Sequence, residues 1–389
     1  MIKKNQLTID EDGITLIKCD ESYIGKVLIP FGITSIMENA FCDCTGLTAI
    51  EMPRSLLKIC EGAFSGCVGL TTIDIPSSVT EIGNYAFSGC TGLSAIEIPN
   101  GVKIIGDGTF GGCTSLSSIG IPRSVTEIGD YAFSGCTSLS TIEIPSSVKF
   151  IGQNAFDDCT SLSTIEIPNS VTHIGDYAFC RCKHLISVEI PSSLVEIGDC
   201  AFISCNGIKK YVVDKDNPTY SSKNGALYSK DMSIIMKCPV DIDTFIIPDC
   251  VTKIGKNAFS YCTNLTSIEI PTSVTEIGDW AFDHCICLSS IVIPSSVKKI
   301  GSYAFRGCSS LTEIHFKHKY PIDFLYSFYD VDSTGALLYW GDFGSSGYFQ
   351  GPSPYLDLSK ITIYVPIGSG YDYRHNQLYS QFAKVVTEE

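Results

Sequence analysis

Proline recurs at a fixed interval of 23 residues along most of the chain. Eight prolines form a first run, and three more resume the same step after a gap: Pro30, Pro53, Pro76, Pro99, Pro122, Pro145, Pro168 and Pro191, then Pro248, Pro271 and Pro294. A unit of this length is too short to bury a core of its own, so the period indicates stacked units that share one core. The 389 residues therefore need not divide into several separately closed domains.

Each unit contains one segment with the alternation of a half-buried strand. In the segment LSTIEIP, Ile142 and Ile144 alternate with Thr141 and Glu143, and Pro145 ends the strand because it has no amide hydrogen to donate. The period lies within the roughly 20–29 residues of leucine-rich repeats. We therefore predict a leucine-rich-repeat solenoid, a right-handed superhelix with a parallel β-sheet on its concave face.

The rest of the unit supplies the other inward positions of the coil. Val148 and Ile151 point back inward, Gly152 permits a sharp turn, and Ala155 and Phe156 fill the convex side from a short helical turn or a short strand. Phenylalanine recurs in this slot and predicts an interior aromatic column: Phe41, Phe64, Phe87, Phe110, Phe133, Phe156, Phe179, Phe202, Phe259, Phe282 and Phe305.

Cysteine also follows the period. Of the 19 cysteines, eleven share one position of the unit: Cys44, Cys67, Cys90, Cys113, Cys136, Cys159, Cys182, Cys205, Cys262, Cys285 and Cys308. Equivalent residues of stacked strands lie about 4.8 Å apart with parallel side chains, whereas a disulfide needs β-carbons about 3.8 Å apart and turned toward each other. We predict free, buried thiols with weak hydrogen bonds to backbone. So many unpaired thiols favour a reducing or anoxic setting.

The period breaks twice, and these breaks set the predicted boundaries. Asn224 to Pro239 has the pattern of a hairpin and resembles the opening segment from Gln6 to Cys19, while Tyr371 to Ala383 has the pattern of a short closing helix. The predicted parts are residues 1–23, an N-terminal β-hairpin cap; 24–213, leucine-rich repeats; 214–247, an irregular repeat with a hairpin insertion; 248–317, leucine-rich repeats; 318–360, an aromatic-rich insertion; and 361–389, the last strand and C-terminal cap.

The repeated unit IPxSVTxIGxxAFxxCxxL resembles the BspA-like, or treponemal-class, leucine-rich repeats over nearly the whole chain. The segment NPTYSSKNGALYSKD from Asn217 and the ending from Ile363 to Val386 are similar to the hairpin insert and closing segment often found with these repeats. The resemblance implies a surface protein of a host-associated anaerobe or protist that adheres to host proteins or other cells. The chain departs from the commonest form in showing no recognisable export signal.

Carboxylates line one outward position of the predicted strands. They are Glu51, Asp74, Glu97, Glu143, Glu166, Glu189 and Glu269, with Gly120 and Val292 interrupting the line. Aligned like charges are unfavourable, and threonine would suit a strand better. One interpretation is a negative strip that receives a basic ligand or a cation. The other is a solvated face that keeps the chain soluble and was copied as repeats duplicated.

The insertion at 318–360 is rich in aromatic residues among Gly, Ser and Asp. Its candidate partner-binding residues are Tyr339, Trp340, Phe343, Tyr348 and Phe349. Aromatic loops on a rigid scaffold are common binding surfaces, because such side chains offer large contact area at little entropic cost. The alternative interpretation is that these side chains form a small core for the insertion itself.

The charge balance and the apolar runs exclude several classes of protein. The net charge of −15 argues against a nucleic-acid surface and against docking on anionic lipid, since both need clustered Lys and Arg. No stretch of 18 consecutive apolar residues occurs, so we expect no membrane insertion. The polar residues Asn5 and Asp10 lie where a secretion signal would be apolar. A charged partner is expected to be basic.

Catalytic, cofactor-binding and metal-ligating patterns do not stand out. Gly106, Gly108 and Gly111 spell GxGxxG, but inside a repeat unit and not between a strand and a helix. We therefore predict no catalytic residues, cofactor or metal, and a monomeric protein-binding protein. The leading hypothesis is an adhesin-like cell-surface or secreted protein that presents its concave face and aromatic insertion to a host or neighbour-cell protein. An intracellular interaction scaffold is the alternative, and a hydrolase built on the solenoid is a third.

Overall fold

The computed structural model describes residues 2–4, 6–322, 358–375, 379 and 382–388. Over these residues the chain is a solenoid of about 14 turns, built from parallel strands with almost no helix. The solenoid predicted from the repeat period is therefore confirmed. The chain divides into two compact units, which we call the N-terminal unit (residues 1–208 and 213–219) and the C-terminal unit (residues 209–212 and 220–389).

The N-terminal unit has parallel strands at two positions of each coil. The long-strand ladder lies at the predicted LxxIxI segments: Gly25–Leu28, Leu47–Glu51, Ala95–Glu97, Ser118–Gly120 and Ser187–Ile190. Single bridges extend it between Thr72 and Ala95 and between Glu143 and Glu166. The short-strand ladder uses two residues per coil: Ser35–Ile36, Lys58–Ile59, Glu81–Ile82, Ile104–Ile105, Glu127–Ile128, Phe150–Ile151, His173–Ile174 and Glu196–Ile197.

Three antiparallel strands open the N-terminal unit: Ile2–Lys4, Leu7–Ile9 and Thr15–Cys19. The third of them pairs in parallel with Ser35–Ile36, so it begins the short-strand ladder.

The C-terminal unit repeats both ladders. Its antiparallel strands are Tyr220–Lys223, Ala226–Ser229 and Ile234–Lys237. Its short-strand ladder is Lys253–Ile254, Glu276–Ile277 and Lys299–Ile300. Its other strands are Lys210–Val213 (the last residue of which belongs to the N-terminal unit), Thr244–Ile246, Ser267–Glu269, Ser290–Ile293, Glu313–Phe316, Thr362–Pro366 and Lys384–Glu388.

The end of the C-terminal unit differs from the sequence-based prediction of a closing helix. The α-helix covers Gly370–His375, and a single 3-10 turn covers Leu358–Lys360. The strand Lys384–Glu388 then pairs in parallel with Thr362–Pro366. A strand therefore follows the helix, and the sequence analysis had not predicted it.

Short strands on the convex face were one of the two predicted alternatives, but the sequence analysis did not locate this ladder, although it is the more regular of the two. Its register pairs equivalent residues of successive coils, such as Ile128 with Ile151 and Ile151 with Ile174. Each strand has one inward isoleucine and one outward residue. Two residues are too few to show the alternation that identifies a strand, so in the sequence the isoleucine looks like an isolated apolar position.

The segment that brings alanine and phenylalanine into the core forms tight turns. The sequence analysis had predicted a short helical turn or a short strand there. Each coil has two positions with left-handed backbone, for example Tyr131 with φ of 56° and Gly135 with φ of 72°. Glycine adopts this conformation freely, whereas another residue there costs about 1–2 kcal/mol. The backbone of the coil therefore gains nothing from a tyrosine at this position.

The predicted aromatic column is confirmed. Phe133 and Phe156 are fully buried and stack with ring centroids 5.2 Å apart and planes within 10°. Phe259, Phe282 and Phe305 repeat this arrangement in the C-terminal unit, with centroids 5.1 and 5.5 Å apart. Each ring is covered by the rings of the neighbouring coils, so no coil can keep its core without them.

The prediction of free, buried thiols is also confirmed. All 19 cysteines are free. The Cys113 thiol donates to the carbonyl oxygen of Phe87 at 3.1 Å, and the thiol of Cys136 donates to that of Phe110 at 3.2 Å. Burial raises the pKa of the Cys113 thiol well above its ordinary value, and it raises the pKa of Cys262 to about 12. These thiols remain protonated and serve as hydrogen-bond donors from one coil to another.

Carboxylates at the start of the turn join the coils in the same way. The Oδ1 atom of Asp130 accepts a hydrogen bond from the backbone N–H of Gln153 at 2.7 Å, and Oδ1 of Asp176 accepts one from Asp199 at 2.7 Å. An equivalent bond joins Oδ1 of Asp279 to the N–H of Ser302 at 2.8 Å in the C-terminal unit. Each bond satisfies a backbone donor at a point where no strand pairing is available.

The variant Phe133→Ala tests the dependence of each coil on its neighbours. Because it removes a fully buried ring from the middle of a stack, we expect it to lower the free energy of unfolding by about 3–5 kcal/mol in urea denaturation. Phe150→Ala is the matched control, since Phe150 is 44% exposed, and its loss should be about 1 kcal/mol or less. Equal losses from the two variants would contradict the aromatic column.

Candidate protein-binding surface

The predicted carboxylates of the N-terminal unit share one outward position of the long-strand ladder. Glu51, Asp74, Glu97, Glu143, Glu166 and Glu189 are all exposed. A buried residue stands on either side of each of them, as Ile96 and Ile98 do beside Glu97, except at Glu51, where Ile50 is buried and Met52 is half-buried. The alternation therefore fixes both the core and the direction of the acidic side chains. We call these six residues the carboxylate column.

The register aligns the column from coil to coil. Glu143 and Glu166 face each other across an isolated parallel bridge, and Gly120 pairs with Glu97. Directly paired strand residues are close neighbours on one face of a sheet. The column is therefore an acidic line that is interrupted at Gly120. No atom lies within 4 Å of the place where a β-carbon of Gly120 would be.

A surface depression of about 470 Å³ lies on this face. Three successive coils line it, and its residues are Ile73, Asp74, Ile75, Ala95, Ile96, Glu97, Ser118, Ile119 and Gly120. The small residues Ala95, Ser118 and Gly120 make its floor, and the carboxylates of Asp74 and Glu97 lie on it. The missing side chain at Gly120 thus coincides with the hollow.

One lysine meets the column. Lys26 forms an ion pair with Glu51, at the first coil of the ladder. Elsewhere in the part of the chain that the structure describes, the column carboxylates form no ion pair with a basic side chain. Their charges therefore remain uncompensated by the protein and are available to a partner.

The short-strand ladder shows a different arrangement of charge. Lys58 and Glu81 form an ion pair across adjacent coils with the nitrogen and oxygen 2.6 Å apart. In the C-terminal unit, Glu276 lies between Lys253 and Lys299, at 3.2 and 3.3 Å, and these ammonium groups lower the pKa of its carboxyl against the effect of burial. The two ladders therefore differ, because these short-strand carboxylates have lysine partners whereas most carboxylates of the column have none among the described residues. Opposite charges 23 residues apart in the sequence could have revealed this pairing.

The remaining predicted site residues belong to the C-terminal part of the sequence. Glu269 is exposed at the equivalent position of the C-terminal unit and pairs in register with Ile246. The five aromatic residues of the insertion, Tyr339, Trp340, Phe343, Tyr348 and Phe349, lie outside the described residues.

Within the described ranges, no group of three or more His, Cys, Asp or Glu side chains could hold a metal ion. None of the helices in those ranges is long and apolar enough to cross a bilayer.

The fold and the repeat positions define a leucine-rich-repeat protein. The family described as the BspA type leucine-rich repeat region matches residues 19–139, 103–224 and 233–334, with six copies. The chain belongs to this family, as its repeated unit indicated. No curated protein matches it.

Solved structures of bacterial leucine-rich-repeat proteins are similar to the chain. One is a leucine-rich cell surface protein from Faecalibacterium prausnitzii, 25% identical, which matches 100% of this chain and 94% of its own with a TM-score of 0.69. Another, a leucine-rich repeat protein from Bacteroides ovatus, is 29% identical over 80% of this chain and 85% of its own, with a TM-score of 0.55. The pneumococcal vaccine antigen PcpA, 17% identical over 100% and 98%, has a TM-score of 0.52 and shares the fold.

Gly120→Glu tests the geometry of the gap in the column. Space is open around the missing β-carbon, and glycine weakens a strand by about 0.5–1 kcal/mol relative to alanine. We therefore expect the variant to unfold at the same or a slightly higher urea concentration. Gly152→Ala is the control, because its β-carbon would lie 2.5 Å from the carbonyl carbon of Gly129 and should cost about 1–3 kcal/mol. Because a glutamate at this position would pair with Glu97, and like charges opposite each other are unfavourable, Gly120→Gln is the uncharged comparison. Destabilisation by both Gly120→Glu and Gly120→Gln would show that the gap serves the fold.

Proposed function

We propose that the chain is a non-catalytic, adhesin-like protein of the cell surface or of the secreted fraction, which binds a protein partner through the carboxylate column. The partner segment is extended and basic, such as an exposed segment of a host extracellular protein or of a neighbouring cell's surface protein. The protein acts as a monomer, without a cofactor or a metal.

The hollow between Asp74 and Gly120 carries this proposal. It combines uncompensated carboxylates with a floor of small side chains, so a polypeptide can approach the sheet closely while its basic residues meet the acidic line. Such complementarity speeds encounter and excludes acidic competitors. The membership in a leucine-rich-repeat family, and a relative described as a cell surface protein, support a binding role outside the cell.

A peptide of alternating lysine and threonine tests the proposal. The labelled octapeptide is titrated with the full chain in fluorescence anisotropy, and compared with the variant that carries Glu97→Gln, Glu143→Gln and Glu166→Gln. Exposed ion pairs contribute up to about 1 kcal/mol each, and 1.4 kcal/mol corresponds to about tenfold in affinity. We expect the Kd to rise about tenfold or more, and binding of the parent to weaken as salt rises.

The matched control removes the same charge from the short-strand ladder, through Glu81→Gln, Glu127→Gln and Glu196→Gln. Its affinity should equal that of the parent. If both triple variants lose affinity equally, the peptide responds to net charge alone and the column is not a binding surface.

The aromatic insertion is proposed as a second contact with the same partner. Aromatic side chains such as Trp340 and Phe343 are typical interface anchors. Replacing residues 323–357 by a short Gly/Ser linker should weaken binding to intact host or neighbouring cells while the affinity for the lysine peptide stays unchanged. Unaltered cell binding would remove the insertion from the proposed interface.

An intracellular interaction scaffold is the second candidate, and one observation favours it. All 19 cysteines are free, as is common in a reducing compartment. Antibody labelling of intact cells, with cell fractionation, separates the two candidates. A surface or secreted protein is labelled on intact cells or recovered from the medium, whereas a scaffold is detected only after the cells are broken.

A further inference from the structure

The N-terminal hairpin, formed by the strands Leu7–Ile9 and Thr15–Cys19, is joined to the first full coil through a short pairing. Its second strand pairs in parallel with the two-residue strand Ser35–Ile36. Beyond this pairing, the backbone N–H of Cys19 donates to the carbonyl oxygen of Ala40 at 2.7 Å. Elements at the end of a stack open locally more readily than those in its middle. A covalent link at this junction would therefore change how the hairpin behaves.

Cys19 stands where the coils that follow have a phenylalanine. In those coils the phenylalanine N–H donates to the alanine carbonyl oxygen of the next coil, as Phe41 does to Ala63 at 2.7 Å. Cys19 makes the same bond to Ala40, and its side chain is buried. The hairpin thus presents a buried thiol to the end of the core, where the aromatic column begins at Phe41.

The buried thiol of Cys44, the first of the eleven cysteines that share one position of the repeat, lies beside that of Cys19. Both thiols donate to the same acceptor, the carbonyl oxygen of Asp20, Cys19 at 3.7 Å and Cys44 at 3.9 Å. The two thiols also contact each other through a hydrogen bond, which lowers the pKa of Cys19 below its ordinary value and raises that of Cys44. A thiolate is the attacking form in disulfide chemistry. The contact therefore brings an attacking sulfur and its partner together.

Thiols farther along the stack are held more tightly. Cys182 and Cys205 also contact each other, but their thiols donate to phenylalanine carbonyl oxygens at 3.3 and 2.9 Å. They stand 23 residues apart at one position of the repeat, so their side chains are parallel, which does not suit a disulfide. Cys19 and Cys44 are 25 residues apart and make only the longer bonds to Asp20. Their side chains are therefore less constrained and can turn toward each other.

A cysteine at the end of the hairpin also has a packing explanation, because the C-terminal unit has one at the equivalent place. There the N–H of Cys238 donates to the carbonyl oxygen of Ala258 at 2.7 Å. The Cys262 thiol donates to the carbonyl oxygen of Pro239 at 3.4 Å, and burial raises the pKa of both Cys238 and Cys262. Packing thus accounts for a small apolar side chain in this slot. It does not account for the hydrogen bond between the two thiols of the first hairpin.

We propose that Cys19 and Cys44 are a disulfide-forming pair that locks the N-terminal hairpin onto the first coil when the chain meets a low-molecular-weight disulfide, RSSR. Local opening at the hairpin admits the oxidant. The Cys19 thiolate attacks one sulfur atom of RSSR and expels RS−, which takes up the proton that Cys19 lost. The Cys44 sulfur then attacks the Cys19 sulfur of this mixed disulfide, and the second RS− leaves with the proton of Cys44. The products are one Cys19–Cys44 disulfide and two molecules of RSH.

The link restrains the hairpin because Cys44 belongs to a coil that is tied to the rest of the stack. The Cys44 coil donates backbone hydrogen bonds to the next one, as from Phe41 to Ala63. Once the disulfide has formed, the hairpin can no longer separate from this coil, and the unfolded chain loses the freedom of a loop of about 25 residues. The pair is distinct from the carboxylate column, so the lock and the proposed binding role can fail independently.

Mass spectrometry of the full chain identifies the link. The folded chain is equilibrated with mixtures of oxidised and reduced glutathione, its remaining thiols are alkylated after unfolding, and it is digested without reduction. We expect a peptide that joins Cys19 to Cys44, with an equilibrium constant for oxidation at least tenfold larger than for any link between Cys182 and Cys205. Absence of the Cys19–Cys44 peptide would overturn the proposal, and so would equal constants for the two pairs.

Limited digestion with trypsin tests whether the link holds the hairpin. The Lys18 side chain is 57% exposed and directly precedes Cys19, and a protease cuts a folded chain when the backbone opens locally. Oxidation of the parent chain should slow cleavage after Lys18 at least tenfold. The variant Cys19→Ser should be cut equally fast with and without oxidised glutathione. Equal rates for the oxidised and the reduced parent would overturn the lock.

Cys42→Ser is the matched control, because Cys42 lies two residues from Cys44 and its thiol donates to Oδ2 of Asp43 at 3.5 Å. This variant should form the Cys19–Cys44 link and gain the same protection from trypsin as the parent. If it loses both, Cys42 is the partner of Cys19 and the proposal is wrong. Unfolding of the reduced variants in urea checks that each serine leaves the fold intact.

Discussion

The contacts between one coil and the next hold the solenoid together, since no coil closes a core alone. Three of them recur at the same positions: the stacked phenylalanine rings, the cysteine thiol that reaches a phenylalanine carbonyl of the preceding coil, and the Asp130 type of carboxylate that accepts a backbone N–H from the following coil. All three require that equivalent residues lie directly above one another. The interval of 23 residues is therefore a physical requirement of these contacts as well as a sequence pattern.

A strict register also determines the surfaces, because outward residues at one position become a continuous line. The N-terminal unit carries such a line in the carboxylates of the long-strand ladder, of which only Glu51 meets a lysine among the described residues. On the short-strand ladder several charges are paired from coil to coil, as at Lys58 and Glu81. Substitution in one unit of the repeat thus changes one point of a line, as Gly120 does, without changing the fold around it.

The sequence predicted the features that depend on repetition. The inward positions of Ile142 and Ile144, the aromatic column and the free thiols all followed from residue type and period, because each coil repeats the same pattern. Short strands were predicted only as an alternative to helical turns, and the position of the short-strand ladder escaped prediction because its two residues per coil cannot show alternation. The final strand, Lys384–Glu388, escaped because it follows an irregular segment and has no second copy in phase.

The candidate surfaces were predictable to different degrees. Outward carboxylates could be identified once the strand was known, since inward and outward positions alternate. The hollow at Gly120 required the positions of three coils at once, which the sequence does not show. The left-handed backbone of the turns, as at Tyr131 and Gly135, is a property of the folded coil and was not visible in the sequence.

The direction of the inter-coil hydrogen bonds has a mechanical consequence. In parallel ladders these bonds run along the stacking direction, so tension that separates the first coil of the N-terminal unit from its last acts on one interface at a time instead of shearing many together. Coils should then peel away in sequence, each lengthening the chain by a similar step at a similar, modest force. A repeat array of this kind therefore lengthens gradually under load instead of failing at a single point.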